Sequence, residues 1–282
     1  MTSQPDRQHQ LVDLGGAARL ERFAARLVDR PSPGALGSRA EPDLWRDADL
    51  RFDRDGGWSG PAVVGDPWSI VFDEVTLELR ATEAGQVGLF PEHVAMLPWL
   101  RERVADRGAT DDPAVLHLFA YTGLATLALA AAGAAVTHVD ASRPTVTWAR
   151  RNADLSGLAA RPVRWIVDDA LAFSEREVRR GRRYAGVVLD PPSYGHGPGR
   201  RDWRIEDDLP VLLATIAGLL ESDGFLLLTA HTPGFDGDRL ARLIRDVLRR
   251  RPGDVEAGDL ALATDDGRRL ELGAFARTAG RS

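Results

Sequence analysis

The sequence predicts an α/β protein built on a doubly wound, mostly parallel sheet, preceded by a small β-rich module. From residue 114 onward, short apolar runs alternate with segments of helical periodicity, and several of the apolar runs end in a carboxylate. The Gly-, Pro-, Asp- and Trp-rich composition of residues 11–84, with short apolar stretches, predicts the separate module. We therefore expect two domains, residues 1–84 and 85–282, with roughly the first ten residues disordered.

Strands and helices alternate along the predicted sheet. The apolar runs predict strands at residues 114–119, 134–140, 163–169, 184–190 and 225–232. Helical spacing of apolar residues predicts helices at residues 88–106, 124–133, 143–157, 208–224 and 237–251. Residues 258–277 read as two strands around an Asp-Gly turn, which adds an antiparallel C-terminal hairpin. Because alternating β and α units of this length form a parallel sheet with helices on both faces, the predicted fold is Rossmann-like.

Two absences restrict the chemistry. The 282 residues contain no cysteine, which excludes disulfides, thiolate metal sites and a cysteine nucleophile in this chain. All 36 basic residues are arginine, which excludes lysine Schiff bases and the P-loop lysine. The net charge of −6 argues against a nucleic-acid-binding field over the whole surface, so any polyanion contact needs a local patch. A polar N-terminus and the lack of a long apolar run predict a cytoplasmic protein without a membrane span.

Four predicted strands end in a polar loop or a carboxylate: the segment 119–123 (FAYTG), Asp140, Asp169 and Asp190. In open α/β sheets, ligands bind beyond these carboxyl ends. Gly123 opens a helix, where the backbone can approach a ligand. At the end of the second strand, Asp140 can accept hydrogen bonds from both ribose hydroxyls of an adenosine, and Asp169 can accept the adenine amino group. Each aspartate is alternatively a helix N-cap, a role for which Ser142 suits the second helix better.

The first loop distinguishes between two adenosine cofactors. The dinucleotide fingerprint G-x-G-x-x-G is missing, because Phe119 and Tyr121 stand where small residues are needed. Aromatic faces instead favour a cation such as a sulfonium. The residues therefore predict S-adenosyl-L-methionine as the cofactor.

Three segments resemble the motifs of class I methyltransferases: "VLHLFAYTGLATLALAAAGAAVTHVDASRPTVTWARRNADLSGL" (115–158), "DDALAF" and "LDPPSYG". They are most similar to the ribosomal-RNA large-subunit methyltransferase-like family, and the similarity covers roughly residues 85–235. The resemblance implies a cofactor site in which the first loop surrounds the methionine part, Asp140 holds the ribose and Asp169 faces adenine; the predicted site comprises Phe119, Tyr121, Thr122, Gly123, Asp140, Ser142, Asp169 and Asp190. The sequence departs from the pattern at His117, where many such enzymes carry an acid, and at Leu124, where a second glycine is usual.

The segment Asp190-Pro191-Pro192 lies beyond the fourth strand, next to the expected methyl donor. A target amine can be held there by the carboxylate of Asp190 and a proline carbonyl, and the two prolines fix the direction of that carbonyl. Asp190 is also the candidate acceptor for the proton that the amine loses. Ser193 occupies the place where amino-methyltransferases commonly carry an aromatic, so Tyr194 is the predicted stacking residue. The predicted catalytic residues are therefore Asp190, Pro191, Pro192 and Tyr194.

The substrate prediction combines the missing cysteine with arginine clusters. Methylation at C5 of a pyrimidine, a reaction of some members of the resembled family, needs a thiolate, so methylation of a guanine nitrogen or of another amine remains. The resemblance implies a nucleobase nitrogen in RNA as the target, with ribosomal RNA as the favoured substrate. Arg200, Arg201 and Arg204 form one local basic cluster and residues 176–183 (REVRRGRR) form a second, both expected on loops near the same rim. If both clusters face one groove, they form a phosphate-binding track; the alternative for the second cluster is a solvated helix end. Trp203 in the same loop either anchors it or stacks on a base.

Other functions remain open at this stage. Methylation of a protein or of a small-molecule amine is the alternative within the enzyme class, and a non-catalytic RNA-binding module is the alternative outside it. A nicotinamide oxidoreductase is disfavoured by the first loop. The sequence leaves the methylated atom and the oligomeric state undetermined.

Overall fold

The computed structural model describes residues 8–62, 66–107, 112–196, 202–249 and 254–279. The chain forms two units, one from residues 1–94 with 261–272 and the other from residues 95–260 with 273–282. Within the described residues, no helix is long and apolar enough to cross a membrane.

The first unit is rich in β-structure, as predicted. Its five-stranded sheet has the order β1-β2-β3-β4-β5, and a separate hairpin pairs β6 with β7. The elements are β1 (His9–Gly15), β2 (Ala18–Phe23), β3 (Arg26–Pro31), α1 (Pro42–Arg46), β4 (Leu50–Asp53), β5 (Gly57–Ser59), β6 (Trp68–Phe72) and β7 (Val75–Leu79). Of the roughly ten N-terminal residues that were expected to be disordered, residues 1–7 lie outside the described residues, and residues 9 and 10 pair with β2.

The second unit contains the predicted alternation of strands and helices. After a 3-10 helix (Pro91–Met96), its first half consists of α2 (Leu97–Ala105), β8 (Ala114–Leu118), α3 (Leu124–Ala131), β9 (Ala135–Asp140), α4 (Arg143–Leu155), β10 (Val163–Val167) and α5 (Ala170–Arg179). The second half consists of β11 (Tyr184–Leu189), β12 (Tyr194–His196), β13 (Asp202–Arg204), α6 (Ile205–Ala217), β14 (Leu220–Ala230), α7 (Gly237–Leu248), β15 (Glu256–Ala263) and β16 (Arg269–Thr278), although residues 261–272 of the last two strands belong to the first unit.

The seven-stranded sheet has the order β10-β9-β8-β11-β14-β16-β15. Strands β8 to β11 and β14 are parallel, and β16 runs antiparallel to β14. Alternate residues of β8 face opposite sides, because Leu116 and Leu118 pack in the core cluster with α5, α6 and α7, whereas His117 bonds to Thr126 of α3. The Rossmann-like, doubly wound sheet with an antiparallel C-terminal hairpin is therefore confirmed.

The predicted and observed helix bounds differ most at two helices. The 88–106 segment forms a 3-10 helix followed by the shorter α2, which has a proline in its first turn. The predicted helix 208–224 begins earlier, at Ile205, and ends at Ala217. Strand β14 then begins at Leu220, with a register shift opposite β11 before Phe225.

The division into units differs from the predicted boundary between residues 84 and 85. The first unit extends to Val94, and it includes residues 261–272 of the C-terminal hairpin. Residues 261–272 belong to the first unit because Leu270 packs in a hydrophobic cluster with Leu11, Leu14 and Ala35. Burial of these side chains joins the two ends of the chain in one unit.

Candidate active site

The parallel register of β8, β9, β10 and β11 brings their carboxyl ends to one edge of the sheet. The segment 119–123, Asp140, Asp169 and Asp190 follow these strands directly or within two residues. The structure therefore places the predicted cofactor residues and the predicted target residues along the same edge. Strand β11 lies between β8 and β14, so Asp190 follows a central strand of this sheet.

The first loop has an unusual backbone. Phe119 and Tyr121 have positive φ angles of 54° and 49°, a left-handed conformation that side-chain-bearing residues rarely adopt. Gly123 follows with φ of 91° at the start of α3, and a Cβ there would lie 3.3 Å from the Cβ of Ala149. Such strain persists only where the surroundings hold it, and it is concentrated at ligand-binding loops.

Asp140 holds this loop to the end of β9. Its Oδ2 accepts a hydrogen bond of 2.9 Å from the backbone N–H of Tyr121, and its Oδ1 accepts one of 2.9 Å from the N–H of Ser142. Burial raises the pKa of the Asp140 carboxyl, and the two N–H donors partly offset this effect. Since each carboxylate oxygen has two acceptor sites, the same group is able to accept two hydroxyl groups in addition.

Ser142 and Asp169 both cap helices, as the alternative reading of the sequence had it. Ser142 Oγ accepts the N–H of Thr145 at the start of α4, and Asp169 Oδ1 accepts the N–H of Ala172 across 2.8 Å at the start of α5. The neighbouring Asp168 pairs with Arg176. The helix caps therefore hold both side chains at the carboxyl edge of the sheet. Oδ2 of Asp169 is the oxygen that would accept the adenine amino group, and this role stays a prediction.

Asn152 is a positioning residue that the sequence reasoning missed. It is fully buried on α4, and its side-chain amide donates a hydrogen bond of 2.9 Å to the carbonyl oxygen of Thr122. Thr122 is itself 1% exposed, so its backbone carbonyl needs an internal donor. The signal that was available is a polar residue on the apolar face of an otherwise amphipathic helix.

Thr229 and His231, also missed, flank Asp190 from the neighbouring strand. Leu189 and Leu228 are partners in the parallel pairing of β11 and β14, so the residues that follow them lie side by side. The hydroxyl of Thr229 donates a hydrogen bond of 2.6 Å to Oδ1 of Asp190, and Nε2 of His231 lies 3.5 Å from the same oxygen. The Asp190 side chain is 19% exposed, so its carboxylate is oriented while it remains accessible.

The segment after Asp190 is held by the hairpin of β12 and β13. The indole N–H of Trp203 donates a hydrogen bond of 2.7 Å to the carbonyl of Pro192, and its ring centroid lies 5.0 Å from that of Phe119. Trp203 is 7% exposed, which favours the anchoring alternative over base stacking. The hydroxyls of Ser193 and Thr232 are 2.7 Å apart.

Tyr194 is 47% exposed on the same hairpin. Its hydroxyl donates a hydrogen bond of 2.8 Å to Asp202, and this bond raises the pKa of the phenol. The ring is thus available at the surface, and its stacking role stays a prediction. Arg200 and Arg201 lie outside the described residues, as does the side chain of His196.

The prediction that residues 176–183 lie near the target rim is wrong for most of this cluster. Helix α5 begins at the carboxyl edge and ends at Arg179, so the following arginines precede the amino end of β11. Arg182 and Arg183 line a recess together with Ala114 and Ala135, which begin β8 and β9. These arginines therefore lie at the edge of the sheet opposite Asp190, because a helix between parallel strands runs back along the sheet.

The fold and the polar residues at the carboxyl edge of the sheet are together typical of enzymes that bind an adenosine-containing cofactor. The chain belongs to the S-adenosylmethionine-dependent methyltransferase family, whose model matches residues 42–252. A crystal structure of a SAM-dependent methyltransferase from Agrobacterium tumefaciens is 35% identical, with a TM-score of 0.91 over 99% of this chain and 92% of that chain.

Two curated relatives match a shorter part of this chain. A ribosomal RNA large subunit methyltransferase K/L from Methylococcus capsulatus is 35% identical over 156 residues, which are 55% of this chain and 20% of the relative. A ribosomal RNA large subunit methyltransferase K from Neisseria meningitidis is 32% identical over 155 residues, which are 54% of this chain and 42% of the relative. The chain thus spans less than half the length of these curated relatives.

The donors and acceptors at the edge fit S-adenosylmethionine. The carboxylate of Asp140 suits the vicinal hydroxyls of a ribose, and the aromatic rings of Phe119 and Tyr121 in the first loop suit a sulfonium. When bound, this cofactor supplies a methyl group that is electrophilic because it is attached to a positively charged sulfur. Such a transfer needs a nucleophile that is held in line with the methyl group.

Proposed function

We propose that this methyltransferase transfers a methyl group to a nucleobase nitrogen in RNA, with ribosomal RNA as the favoured substrate. The observation that carries the proposal is the arrangement around Asp190, whose carboxylate is oriented by Thr229 and followed by two prolines. Carboxylate and carbonyl oxygens together accept the two hydrogens of an exocyclic amine. The names of the curated relatives support ribosomal RNA as the substrate class.

In the proposed reaction, Asp190 and a proline carbonyl orient the amine so that the nitrogen lone pair points at the methyl carbon. The cofactor would supply the methyl group: its methyl C–S bond would break as the N–C bond forms, and S-adenosylhomocysteine would leave. The nitrogen would become positively charged, and Asp190 would accept one of its protons. The second proton remains on the methylated nitrogen. The absence of cysteine in these 282 residues supports nitrogen over C5 of a pyrimidine, because this chain has no thiolate to add to the ring.

The test is an incubation of the purified protein with tritium-labelled S-adenosylmethionine and three separate acceptors: undermethylated ribosomal RNA, transfer RNA and a protein fraction. We expect label in ribosomal RNA, and nucleoside mass spectrometry is expected to locate the methyl group on a base nitrogen. Label that appears only in protein would overturn the RNA assignment and favour a protein amine. Label at a carbon atom would overturn the nitrogen assignment.

Two substitutions of Asp190 separate its roles. Asp190→Ala removes both the acceptor and the base, and we expect transfer to fall by about 10³-fold. Asp190→Asn retains one acceptor oxygen but has no affinity for a proton, so a residual rate well above that of the alanine variant would assign Asp190 mainly to orientation. Binding of the cofactor, measured by calorimetry, is expected to change by less than about threefold, roughly 0.6 kcal/mol. Full activity of the alanine variant would contradict the proposed role of Asp190.

A further inference from the structure

Two recesses lie along β10, which is the outermost strand of the seven-stranded sheet on that side. The first recess, about 420 Å³, lies at the amino ends of the parallel strands, and four arginines line it: Arg161, Arg164, Arg182 and Arg183. The second recess, about 340 Å³, lies between α4 and β10 and is lined by Arg143, Arg150 and Trp165, among others. We call these six arginines the arginine edge.

The charge of this edge contrasts with the rest of the chain. The whole sequence has more acidic than basic residues, 42 against 36, yet no Asp or Glu lines either recess in the described part of the chain. Arg164 lies 3.6 Å from the buried Glu177, which also binds Arg180 and Tyr184. That carboxylate is therefore already shared, and it does not neutralise the edge.

Four of the six arginines have no ion-pair partner among the residues that the structure describes: Arg143, Arg150, Arg161 and Arg182. All four are exposed. Among the described residues, Arg183 donates only to backbone carbonyls, those of Arg182 and Gly218. Repulsion among guanidinium groups that lack counter-charges destabilises the folded chain, and a bound polyanion removes this repulsion.

The remaining lining residues indicate what kind of polyanion fits. The apolar residues that line the first recess include Ala114, Val136 and Pro162. In the second recess, the half-buried ring of Trp165 lies beside Arg143 and Arg150, which are two helical turns apart on α4. Arginines that bind phosphate next to apolar and aromatic surfaces that accept bases are the two components of single-strand recognition.

The position of the first recess separates it from the catalytic residues. The first recess lies at the amino ends of the strands, whereas Asp190 follows the carboxyl end of β11. A strand of five residues such as β10 is about 16 Å long, so one nucleoside cannot occupy both places. A ligand that contacts both must be a polymer.

From these observations, we propose that the arginine edge binds the sugar-phosphate backbone of the RNA substrate, at a distance of several nucleotides from the base that is methylated. The proposal rests on the proposed function, since it takes RNA as the substrate. It predicts that the enzyme favours long RNA over short fragments, even where both contain the target base.

The test compares two pairs of charge reversals. Arg161→Glu with Arg182→Glu changes two exposed arginines of the edge that have no ion pair among the described residues. Arg242→Glu with Arg249→Glu, on and just after α7, is the matched control, because these exposed arginines lie outside the edge and outside the catalytic residues. Circular dichroism and the affinity for S-adenosylmethionine verify that each variant is folded.

The probe is a fluorescein-labelled single-stranded RNA of about 20 nucleotides, whose binding is followed by anisotropy at several salt concentrations. We expect the edge variant to bind the RNA about tenfold more weakly than the control. The slope of the logarithm of the binding constant against the logarithm of the salt concentration should be smaller in magnitude by about 1.4, since each lost phosphate contact contributes about 0.7. Affinity and salt dependence equal to those of the control would overturn the proposal.

The outcome is distinguishable from failure of the proposed function. If RNA binding depends on the edge but no RNA accepts label, the edge proposal stands and the proposed reaction fails. If ribosomal RNA is methylated but binding does not depend on the edge, only the edge proposal fails. Inorganic pyrophosphate is added as a competitor, to test whether the edge binds a small phosphate ligand instead. If pyrophosphate displaces the RNA completely, and longer RNA binds no more tightly than shorter RNA, the RNA assignment of this edge is overturned.

Discussion

The indole nitrogen of Trp203 donates a hydrogen bond of 2.7 Å to the carbonyl oxygen of Pro192. This bond joins the hairpin after the active-site segment to that segment, and the same indole contacts Phe119 of the cofactor loop. One buried side chain therefore links the predicted cofactor residues to the predicted target residues. The distance between the methyl donor and the target nitrogen depends on such links, because transfer requires near-attack geometry.

Trp203→Phe is expected to lower kcat about tenfold, since it keeps an aromatic ring against Phe119 but removes the donor to Pro192. The affinity for S-adenosylmethionine is expected to change less than about twofold, or about 0.4 kcal/mol. Trp99→Phe is the matched control, because Trp99 packs edge-on against Phe225 away from the segment. Equal kcat values for the two variants would refute a positioning role for the Trp203 indole.

Asn152→Ala is expected to weaken both the fold and cofactor binding, because the buried carbonyl of Thr122 loses its amide donor. The free energy of unfolding should fall by about 1–3 kcal/mol, the usual cost of leaving a buried polar group unsatisfied. Ser156→Ala is the control, since it removes a hydroxyl bond to the backbone carbonyl of Asn152 and leaves the cofactor loop unchanged. Urea unfolding and calorimetry with S-adenosylmethionine check the two effects; wild-type cofactor affinity in Asn152→Ala would contradict the link to the loop.

Gly186→Ala is expected to destabilise the central strand β11. A Cβ at this position would overlap the ring of Phe225, which is 2% exposed and so has little room to move. Overpacking of this kind costs about 1–3 kcal/mol in the free energy of unfolding. In a Phe225→Leu background, Gly186→Ala is expected to lower the free energy of unfolding by less than it does in the wild type. Equal costs in the two backgrounds would show that the ring of Phe225 is not the cause.

Stability is expected to fall in mild acid because of His138. Its Nδ1 lies 2.9 Å from the hydroxyl of Thr126, which is also 2.7 Å from Nδ1 of His117. Burial, and then the neighbouring His117, hold the pKa of His138 well below its usual value of 6.5. As the pH falls below 6.5, the unfolded chain binds a proton at this histidine that the folded chain does not bind. The stability that the neutral, buried His138 contributes is therefore complete above pH 6.5 and is lost below it.

Urea unfolding at about pH 7.5 and about pH 5.5 measures this dependence. His138→Gln retains a polar partner for Thr126 but does not titrate, so its stability should change less between the two pH values than that of the wild type. An unchanged pH dependence in this variant would assign the effect to other groups.

The sequence alone determined the class of the sheet, the order of its elements and the cofactor edge. These features follow from local patterns: apolar runs of strand length, helical periodicity, and carboxylates such as Asp140 and Asp190 at strand ends. In a parallel sheet the carboxyl ends of the strands lie at one edge, so residues that are far apart in sequence were predictable as neighbours. Asp169 and Ser142 were also predicted at this edge, and the structure confirms the alternative prediction that both cap helices.

Only the tertiary structure decided which side chains surround Asp190 and where the arginines lie. Thr229 is 39 residues away from Asp190, and it becomes a neighbour through the register of β11 and β14, which local periodicity does not encode. Trp203 was ambiguous until its hydrogen bond to Pro192 was seen. Arg182 and Arg183 were predicted at the wrong edge of the sheet, because a run of charged residues indicates exposure but not which edge the residues occupy. That edge is decided by α5, which runs back along the sheet to the amino end of β11.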